Sequence, residues 1–365
     1  MYLEKLSLLY FKNYSSLDIR FSPDINLLTG LNGSGKTNLL DAIFCLCLTK
    51  SFLNTPETQL MTLQAPYFSI HGNFMGERGE HIIQYNYDGR KKSFLVDKQS
   101  YTRLSEHIGK FPAIVLTPYD TDMIRDGSED RRKFFDTLFS QADAVYLHQL
   151  MRYQHFLKQR NGLLKAVSEG ARLDYVLLET YDATLLELNT AISYTRSKLL
   201  QQLLPDVFSF YSLLSPEEEQ PSILYLTEVL SADFAQAFEQ NLKKDILLQR
   251  TGMGIHKDDF SFLLNDKPIK QYGSQGQQKT FMIALKLAQY TFLKKILQRR
   301  PILMMDDIFD KLDDVRIEKL IEWVKRDLDG QIFITDARPE RSTAIVGHSS
   351  KDFRIFNIHH GSLLP

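Results

Sequence analysis

"INLLTGLNGSGKTNLLDAIFCLCL", Ile25–Leu48, holds three local signals in a row. The apolar run "INLL" ends at a glycine and reads as a short buried strand. "TNLLDAIFCLCL" reads as an apolar helix. Between them "GLNGSGKT", Gly30–Thr37, fits G-x-x-x-x-G-K-[ST] in the strand–helix context that this loop requires. Glycines there let backbone N–H groups wrap phosphate oxygens, Lys36 brings a point charge to the β- and γ-phosphates, and Thr37 offers a hydroxyl to Mg²⁺. Gly30, Leu31, Asn32, Gly33, Ser34, Gly35, Lys36 and Thr37 are therefore the expected cofactor-binding residues.

Around this stretch the chain alternates short strands and helices. "LEKLSLLYF" and "LDIRF" read as strands, "HIIQYNYDGRKKSFLV" as a hairpin turning at Asp88-Gly89, and "AIVLTP" as a buried strand stopped by Pro118. From about Ser128 to Gln249 the texture is almost wholly helical. Leu178, Tyr181, Leu185, Leu188, Ile192 and Leu199 step at helical spacing, and Leu150, Leu157 and Leu164 step by sevens. After Thr251 the α/β texture returns with a hairpin "FSFLLNDKPIKQY", a helix, the strand "PILMMDD", a second helix "DVRIEKLIEWVKRDL" and the strand "GQIFITD". The expected layout is an α/β body from residues 1–127 and 250–365, with residues 128–249 inserted as a lobe of long helices.

"PILMMDD", Pro301–Asp307, describes a central parallel strand that delivers acids at its C-terminal end. Asp306 is placed to hold Mg²⁺ through water, and with Thr37 it is an expected metal ligand. Asp307 is placed to polarise an attacking water, so Asp307 and Lys36 are the expected catalytic pair. Asp310 and Asp313, in "FDKLDD", read as a helix N-cap, as a functional loop, or as both. Upstream, "SQGQQ" opens a helix at Ser274, where free N–H groups and the helix dipole favour an anion.

The order of phosphate loop, helical insertion, "SQGQQ", acid strand and "DKLD" resembles the ABC-type ATPases, whose signature loop reads S-G-G-Q. The resemblance implies an ATPase head with a parallel sheet plus antiparallel strands. It also implies that Ser274, Gln275, Gly276 and Gln277 cap the γ-phosphate of ATP held by a second protomer. A transporter-type ATPase subunit with a membrane partner is one alternative. The long helices, Thr335-Asp336 in place of a histidine and Asp307 in place of a glutamate depart from that type and point toward SMC proteins and their relatives on DNA. An SMC-like structural protein is a further alternative, but at about 1.5 Å per helical residue this insertion reaches only tens of ångströms.

Within that branch the chain closely resembles the RecF family of bacterial DNA replication and repair proteins along its whole length. "VLTPYDTDMIRDGSEDRRKFFD", "YQHFLKQRNGLLK", "RTGMGIHKDDF", "YGSQGQQKT" and "PILMMDDIFDKLD" carry the likeness. "GMGIHKDD" departs from the family's Gly-Pro-His-Arg-Asp-Asp run at Ile255 and Lys257. The resemblance implies ATP and Mg²⁺ as cofactors, an ATP-dependent homodimer on double-stranded and gapped DNA, and slow DNA-stimulated hydrolysis as a release step. It also implies work with RecR and RecO that helps RecA load at gaps.

Composition narrows the rest. The chain has 365 residues, 43% hydrophobic and 24% charged, with net charge -1, so any nucleic-acid surface must be local. The candidates are Arg90, Lys91 and Lys92 at a hairpin tip, Arg131, Arg132 and Lys133 at the start of the lobe, and Lys158, Arg160 and Lys165 on its helix. No zinc module or helix-turn-helix signature argues for sequence-specific readout. No second carboxylate cluster argues for a two-metal nuclease. The N-terminal stretch lacks a signal peptide, and no apolar run is long enough to span a membrane. Cys45 and Cys47, the only cysteines, read as buried thiols in a reducing cytoplasm.

Overall fold

The computed structural model describes residues 1–77, 79–215, 218–311, 313–338 and 352–364, with the side chains of 310 and 311 left aside. In chain order the strands are β1 (Tyr2–Phe11), β2 (Tyr14–Arg20), β3 (Ile25–Thr29), β4 (Phe68–Gly76), β5 (Gly79–Tyr87), β6 (Lys92–Val96), β7 (Gln99–Ser100), β8 (Ala113–Leu116), β9 (Pro221–Leu226), β10 (Asp259–Leu264), β11 (Lys267–Pro268), β12 (Ile302–Met305), β13 (Ile332–Asp336), β14 (Phe353–His359) and β15 (Ser362–Leu363). The helices are α1 (Lys36–Leu48), α2 (Glu57–Leu60), α3 (Asp122–Arg125), α4 (Ser128–Ala142), α5 (Ala144–Ser168), α6 (Tyr175–Leu214), α7 (Phe234–Gln240), α8 (Leu242–Leu248), α9 (Ile269–Tyr272), α10 (Gln275–Leu297) and α11 (Asp314–Arg326).

The chain divides into two compact units, one of Met1–Thr121, Ser209–Glu218 and Lys279–Pro365, the other of Asp122–Phe208 and Glu219–Gln278. The first holds two sheets. One is antiparallel, in the order β2-β1-β4-β5-β6-β7. The other runs β15-β14-β3-β13-β12-β8 and is parallel from β14 to β8. Strands β3, β12 and β13 are buried at every residue, as unbroken apolar runs covered on both faces must be. Helix α1 touches β4 and β5 of one sheet and β8 and β13 of the other, which is why it is apolar around most of its circumference. Cys45 and Cys47 lie in this core as free thiols, and burial pushes both up from the ordinary thiol range.

The second unit carries α4, α5, most of α6, the short helices α7 to α9 and a three-stranded antiparallel sheet ordered β11-β10-β9. Strand β9 interrupts the segment that reads as helical in sequence. It is short, and only pairing with β10 makes it a strand. That pairing, with β10 packed on α4, also draws residues 251–278 into the helical unit. The division therefore falls near 121 and 278, not at 127 and 250. The last turns of α6 belong to the first unit.

Two guanidinium groups organise the second unit. Arg196 ion-pairs with Asp258 and Asp136, both at 2.9 Å, and donates to the Ile255 carbonyl. Arg160 ion-pairs with Asp182 and Asp245, both at 2.6 Å, and donates to Thr251 Oγ1. Both arginines are buried, so Arg160 is not the exposed cation that the sequence reading made it.

Candidate functional site

Sheet order explains the site. Strand β13 lies between β3 and β12, so the loop after β3 and the acids after β12 emerge on either side of the end of β13. Ligands of open parallel sheets bind at these carboxyl ends.

The loop from Gly30 to Gly35 is held by backbone geometry. Gly30 has φ 143°, and a Cβ on it would come within 2.2 Å of the Ile358 carbonyl oxygen, so only glycine fits. Gly35 caps α1 in the left-handed region and supplies no side chain to the first N–H groups of the helix. Those groups and the dipole behind them suit an anion. The loop is braced from outside by Asn13, which donates to the Ser34 carbonyl at 3.1 Å, and by Tyr14, whose hydroxyl donates to the Gly35 carbonyl at 2.9 Å. Lys36 Nζ donates to the carbonyls of Gly30 and Leu31 at 2.8 and 3.2 Å, which sets the ammonium over the loop. Ser34 Oγ is buried without a partner among the described residues, although a buried hydroxyl is costly when unpaired.

Thr37 Oγ1 lies 2.9 Å from both carboxylate oxygens of Asp306, which joins the loop to the acid strand. Thr335, at the end of β13, completes the set. Its hydroxyl donates to Asp306 Oδ1 at 2.9 Å and accepts the N–H of Asp307 at 2.8 Å. Asp307 sits at φ 45°, uncommon for a non-glycine residue, with its N–H fixed by that threonine. Burial is the largest influence on Asp306 and pushes its carboxyl up, against the hydrogen bonds from Thr335 and Thr37 that pull it down. Among the described residues no Lys or Arg forms an ion pair with Asp306, and no group of three or more His, Cys, Asp or Glu is arranged to hold a metal. Thr37 and Asp306 are the side chains here that could share a cation with a ligand's own oxygens. The unpartnered Ser34 hydroxyl, the uncapped helix start and the buried carboxylate, which lacks an ion pair and feels only the Lys36 charge, all fit a phosphate chain with a divalent ion.

The other expected residues are arranged as follows. Ser274 Oγ accepts the Gln277 N–H at 3.2 Å, and Gln277 Oε1 accepts the Ser274 N–H at 2.7 Å, a reciprocal cap for α10. Gln277 also donates to Glu219. Gly276 is part-buried in the first turn and Gln275 is exposed. Asp313 is the N-cap of α11, accepts the Arg316 N–H at 3.0 Å and is held below the usual carboxylate range by that bond. The side chain of Asp310 lies outside the described residues. His256 donates from Nε2 to the Thr251 carbonyl at 2.9 Å and accepts from the Tyr153 hydroxyl at Nδ1. Burial lowers it to about 4, which makes it a neutral structural histidine.

The basic candidates differ in how far they are engaged. Arg131 ion-pairs with Asp259 at 2.8 Å and donates to the carbonyls of Met123 and Asp126, and Arg132 donates to the Asp258 carbonyl at 2.5 Å. Lys92 reaches the Thr49 carbonyl and Glu57, whereas Lys91 is exposed. In the sequence Thr335 stands out only as occupying the place where transporter-type ATPases carry a histidine, with no contact assigned to it. A threonine ending an apolar strand is ordinary in sequence, and only the strand order gives it a role.

An ATPase head of the SMC type is what this sheet order and loop geometry define, and comparison with known proteins agrees. The family described as RecF/RecN/SMC N terminal domain matches residues 2–73. A solved Smc head domain derived from Pyrococcus furiosus shares the fold at a TM-score of 0.58 and 17% identity, over 99% of this chain and 95% of that one. A solved structure of the recombination mediator protein RecF–ATP in the RecFOR pathway superposes with a TM-score of 0.89 at 28% identity, over 100% of this chain and 97% of that one. The DNA replication and repair protein RecF of Cytophaga hutchinsonii is 59% identical over 363 residues, 100% of this chain and 96% of that protein. Its counterpart in Flavobacterium johnsoniae is 41% identical over 98% of this chain and 100% of that protein. The chain belongs to the RecF family of DNA replication and repair proteins. Among the described residues no helix is long and apolar enough to cross a membrane.

Proposed function

We propose that this chain is an ATP-switched, DNA-binding recombination mediator that works with RecR and RecO to help RecA load at gaps. The observation that carries the ATP reading is the Thr37–Asp306–Thr335 chain of hydroxyl and carboxylate beside a glycine-walled helix start. The resemblance in sequence to RecF proteins, along the whole chain, supports the repair role.

The backbone N–H groups of Gly33 to Lys36 bind the phosphate oxygens of ATP, and the Lys36 ammonium moves from the carbonyls of Gly30 and Leu31 onto the β- and γ-phosphates. Mg²⁺, when bound, neutralises charge developing on the phosphates. Thr37 and Asp306 are the residues that would hold it. Asp307 orients and polarises the attacking water, and Thr335 fixes the backbone from which Asp307 projects. Ser274 and the start of α10 in a second copy supply donors to the γ-phosphate, so ATP closes a homodimer on double-stranded or gapped DNA. Slow hydrolysis then opens it.

The test is ATP turnover per chain across a range of protein concentrations, with and without duplex DNA. A specific rate that climbs with concentration and again with DNA is expected. A rate strictly proportional to enzyme and indifferent to DNA overturns the shared-site reading. A second check is the Asp307→Asn chain in saturating ATP, which should accumulate as a dimer. If it sediments as a monomer, the signature loop does not act in trans.

A further inference from the structure

Helix α5 is 25 residues long, contains no Asp or Glu, and carries Arg152, Lys158, Arg160 and Lys165. The packing sorts these charges. Arg160 points inward, and its charge is met by Asp182 and Asp245 at 2.6 Å. Asp245 is the only acid of α8 and is itself buried, so it lends no negative charge to the surface. What α5 and α8 leave to solvent is one sign only: Arg152, Lys158 and Lys165 from α5, Lys243 and Lys244 from α8. Among the described residues no carboxylate pairs with Arg152, Lys158, Lys243 or Lys244. Lys165 has only Glu169, at 3.8 Å with both side chains 62% exposed, which is a weak contact.

Tyr146, Leu150, Tyr153, Arg160 and Leu164 mark the buried stripe of α5. Arg152, Lys158 and Lys165 lie away from it, with the exposed His148, His155 and Gln159 among them. Lys158 and Lys165, seven residues apart, lie nearly in line about 10.5 Å along the helix axis, while Arg152, about 9 Å before Lys158, stands about 120° round the helix at the other edge of the exposed face. Gly162 stands on the same exposed face, and a Cβ added to it would meet nothing within 4 Å. Glycine weakens a helix interior, and here no packing inside the chain requires it. It leaves a low point where an outside surface can come close.

We propose that the solvent face of α5, together with Lys243 and Lys244 of α8, is a contact surface for the phosphate backbone of duplex DNA. The proposal rests on the DNA-binding reading above and gives it a location. Charge complementarity selects the occupant. A polyanion with closely spaced phosphates suits an exposed face whose cations have at most one weak surface partner, and a sequence without a zinc module or helix-turn-helix signature suits sequence-indifferent binding.

The experiment is fluorescence anisotropy of a labelled duplex of arbitrary sequence with the full chain in Mg-ATP, repeated across a salt series. In the triple variant Arg152→Gln/Lys158→Gln/Lys165→Gln, the plot of log affinity against log salt should be shallower by about 2 to 3, with affinity down on the order of a hundredfold near 0.1 M salt. The double variant Lys243→Gln/Lys244→Gln should lose slope in the same sense. The charge-keeping triple Arg152→Lys/Lys158→Arg/Lys165→Arg should bind as the parent does. An unchanged thermal shift on adding ATP reads that the fold is intact. A parent chain that binds duplex while the neutral triple keeps its full salt slope overturns the location alone, and points to an acidic protein as the partner of this face. A parent chain that does not bind duplex at all overturns both this proposal and the reading it rests on.

Discussion

Asp306 and Asp258 are both buried, one in each unit, and burial pushes both carboxyls up. They differ in what answers the charge. Asp258 meets Arg196 at 2.9 Å, and the Tyr225 hydroxyl donates to it. Its charge is neutralised by the chain itself. Asp306 meets only the hydroxyls of Thr37 and Thr335. Two hydroxyls orient a carboxylate but bring no positive charge, and the one chain cation that acts on it, Lys36, does so without forming an ion pair, so its desolvation is less fully answered than that of Asp258. The first arrangement holds the second unit together, and the second is the one that the proposed cation would complete.

This contrast is easiest to break at Asp306. Asp306→Asn should lower ATP turnover by roughly 10²-fold or more, because it removes the carboxylate that organises the cation and the developing charge. Its nucleotide-free thermal midpoint should hold or rise, since a buried carboxylate without an ion-pair partner, answered only by the charge of Lys36, disappears. Steady-state hydrolysis and calorimetry on one preparation read both; a marked drop in the midpoint would place Asp306 with Asp258 as a structural acid. The opposite pattern is expected for Asp258→Asn, which leaves Arg196 with less compensation. Unfolding in urea should show a loss of about 3 kcal/mol, with nucleotide affinity little changed in whatever fraction remains folded.

Thr335→Val sharpens the comparison at smaller scale. It keeps the shape of the strand but removes the donor to Asp306 and the acceptor for the Asp307 N–H. A net hydrogen bond is worth about 1 kcal/mol, or about fivefold in rate, so loss of one or both should lower turnover about 5- to 30-fold, with a larger Mg²⁺ requirement. Titration with Mg²⁺ checks this, and an unaltered Mg²⁺ dependence would reduce Thr335 to packing.

The smallest effect concerns two histidines, again one per unit. His107 donates from Nε2 to the Leu46 carbonyl at 2.7 Å, and His256 is held as described above; burial takes each down to about 4. A folded value below the unfolded value of about 6.5 means the folded state binds fewer protons. Their contribution is thus complete above about 6.5 and is lost as pH falls toward about 4. Between pH 7 and 5 each should account for about 2 kcal/mol of lost stability. Buried acids with raised values, such as Asp306 and Asp258, act in the opposite direction, so the difference between parent and variant isolates the histidine. His256→Gln should flatten the pH dependence of the urea midpoint, and an equally steep decline in that variant would mean that His256 is charged in the fold.

The phosphate loop and the acid strand were legible because each is a local signal, a fixed spacing in one turn or one apolar run with an acid at its end. Thr335 was not, because its role depends on β13 lying between β3 and β12, which no local window records. Strand β9 was hidden in the same way, as was the assignment of residues 251–278 to the helical unit. Arg160 read as one more surface cation beside Lys158 and Lys165, since helical spacing alone does not say which face is covered. Asp182 and Asp245, far apart in the chain, turn it inward. The signature stretch was legible as a helix start that favours an anion, whereas the Ser274–Gln277 pair that caps it with the chain's own atoms was not legible there.

The most direct measurement of the central claim is the shift in thermal midpoint on adding ATP, in the presence of Mg²⁺ or of a chelator, for the parent chain and for Asp306→Asn. A ligand that binds only the folded state stabilises it in proportion to the logarithm of its concentration over its dissociation constant. The account predicts a Mg²⁺-dependent rise in the parent that shrinks to the chelator value in Asp306→Asn. Equal rises in both chains, with Mg²⁺ making no difference, would contradict it.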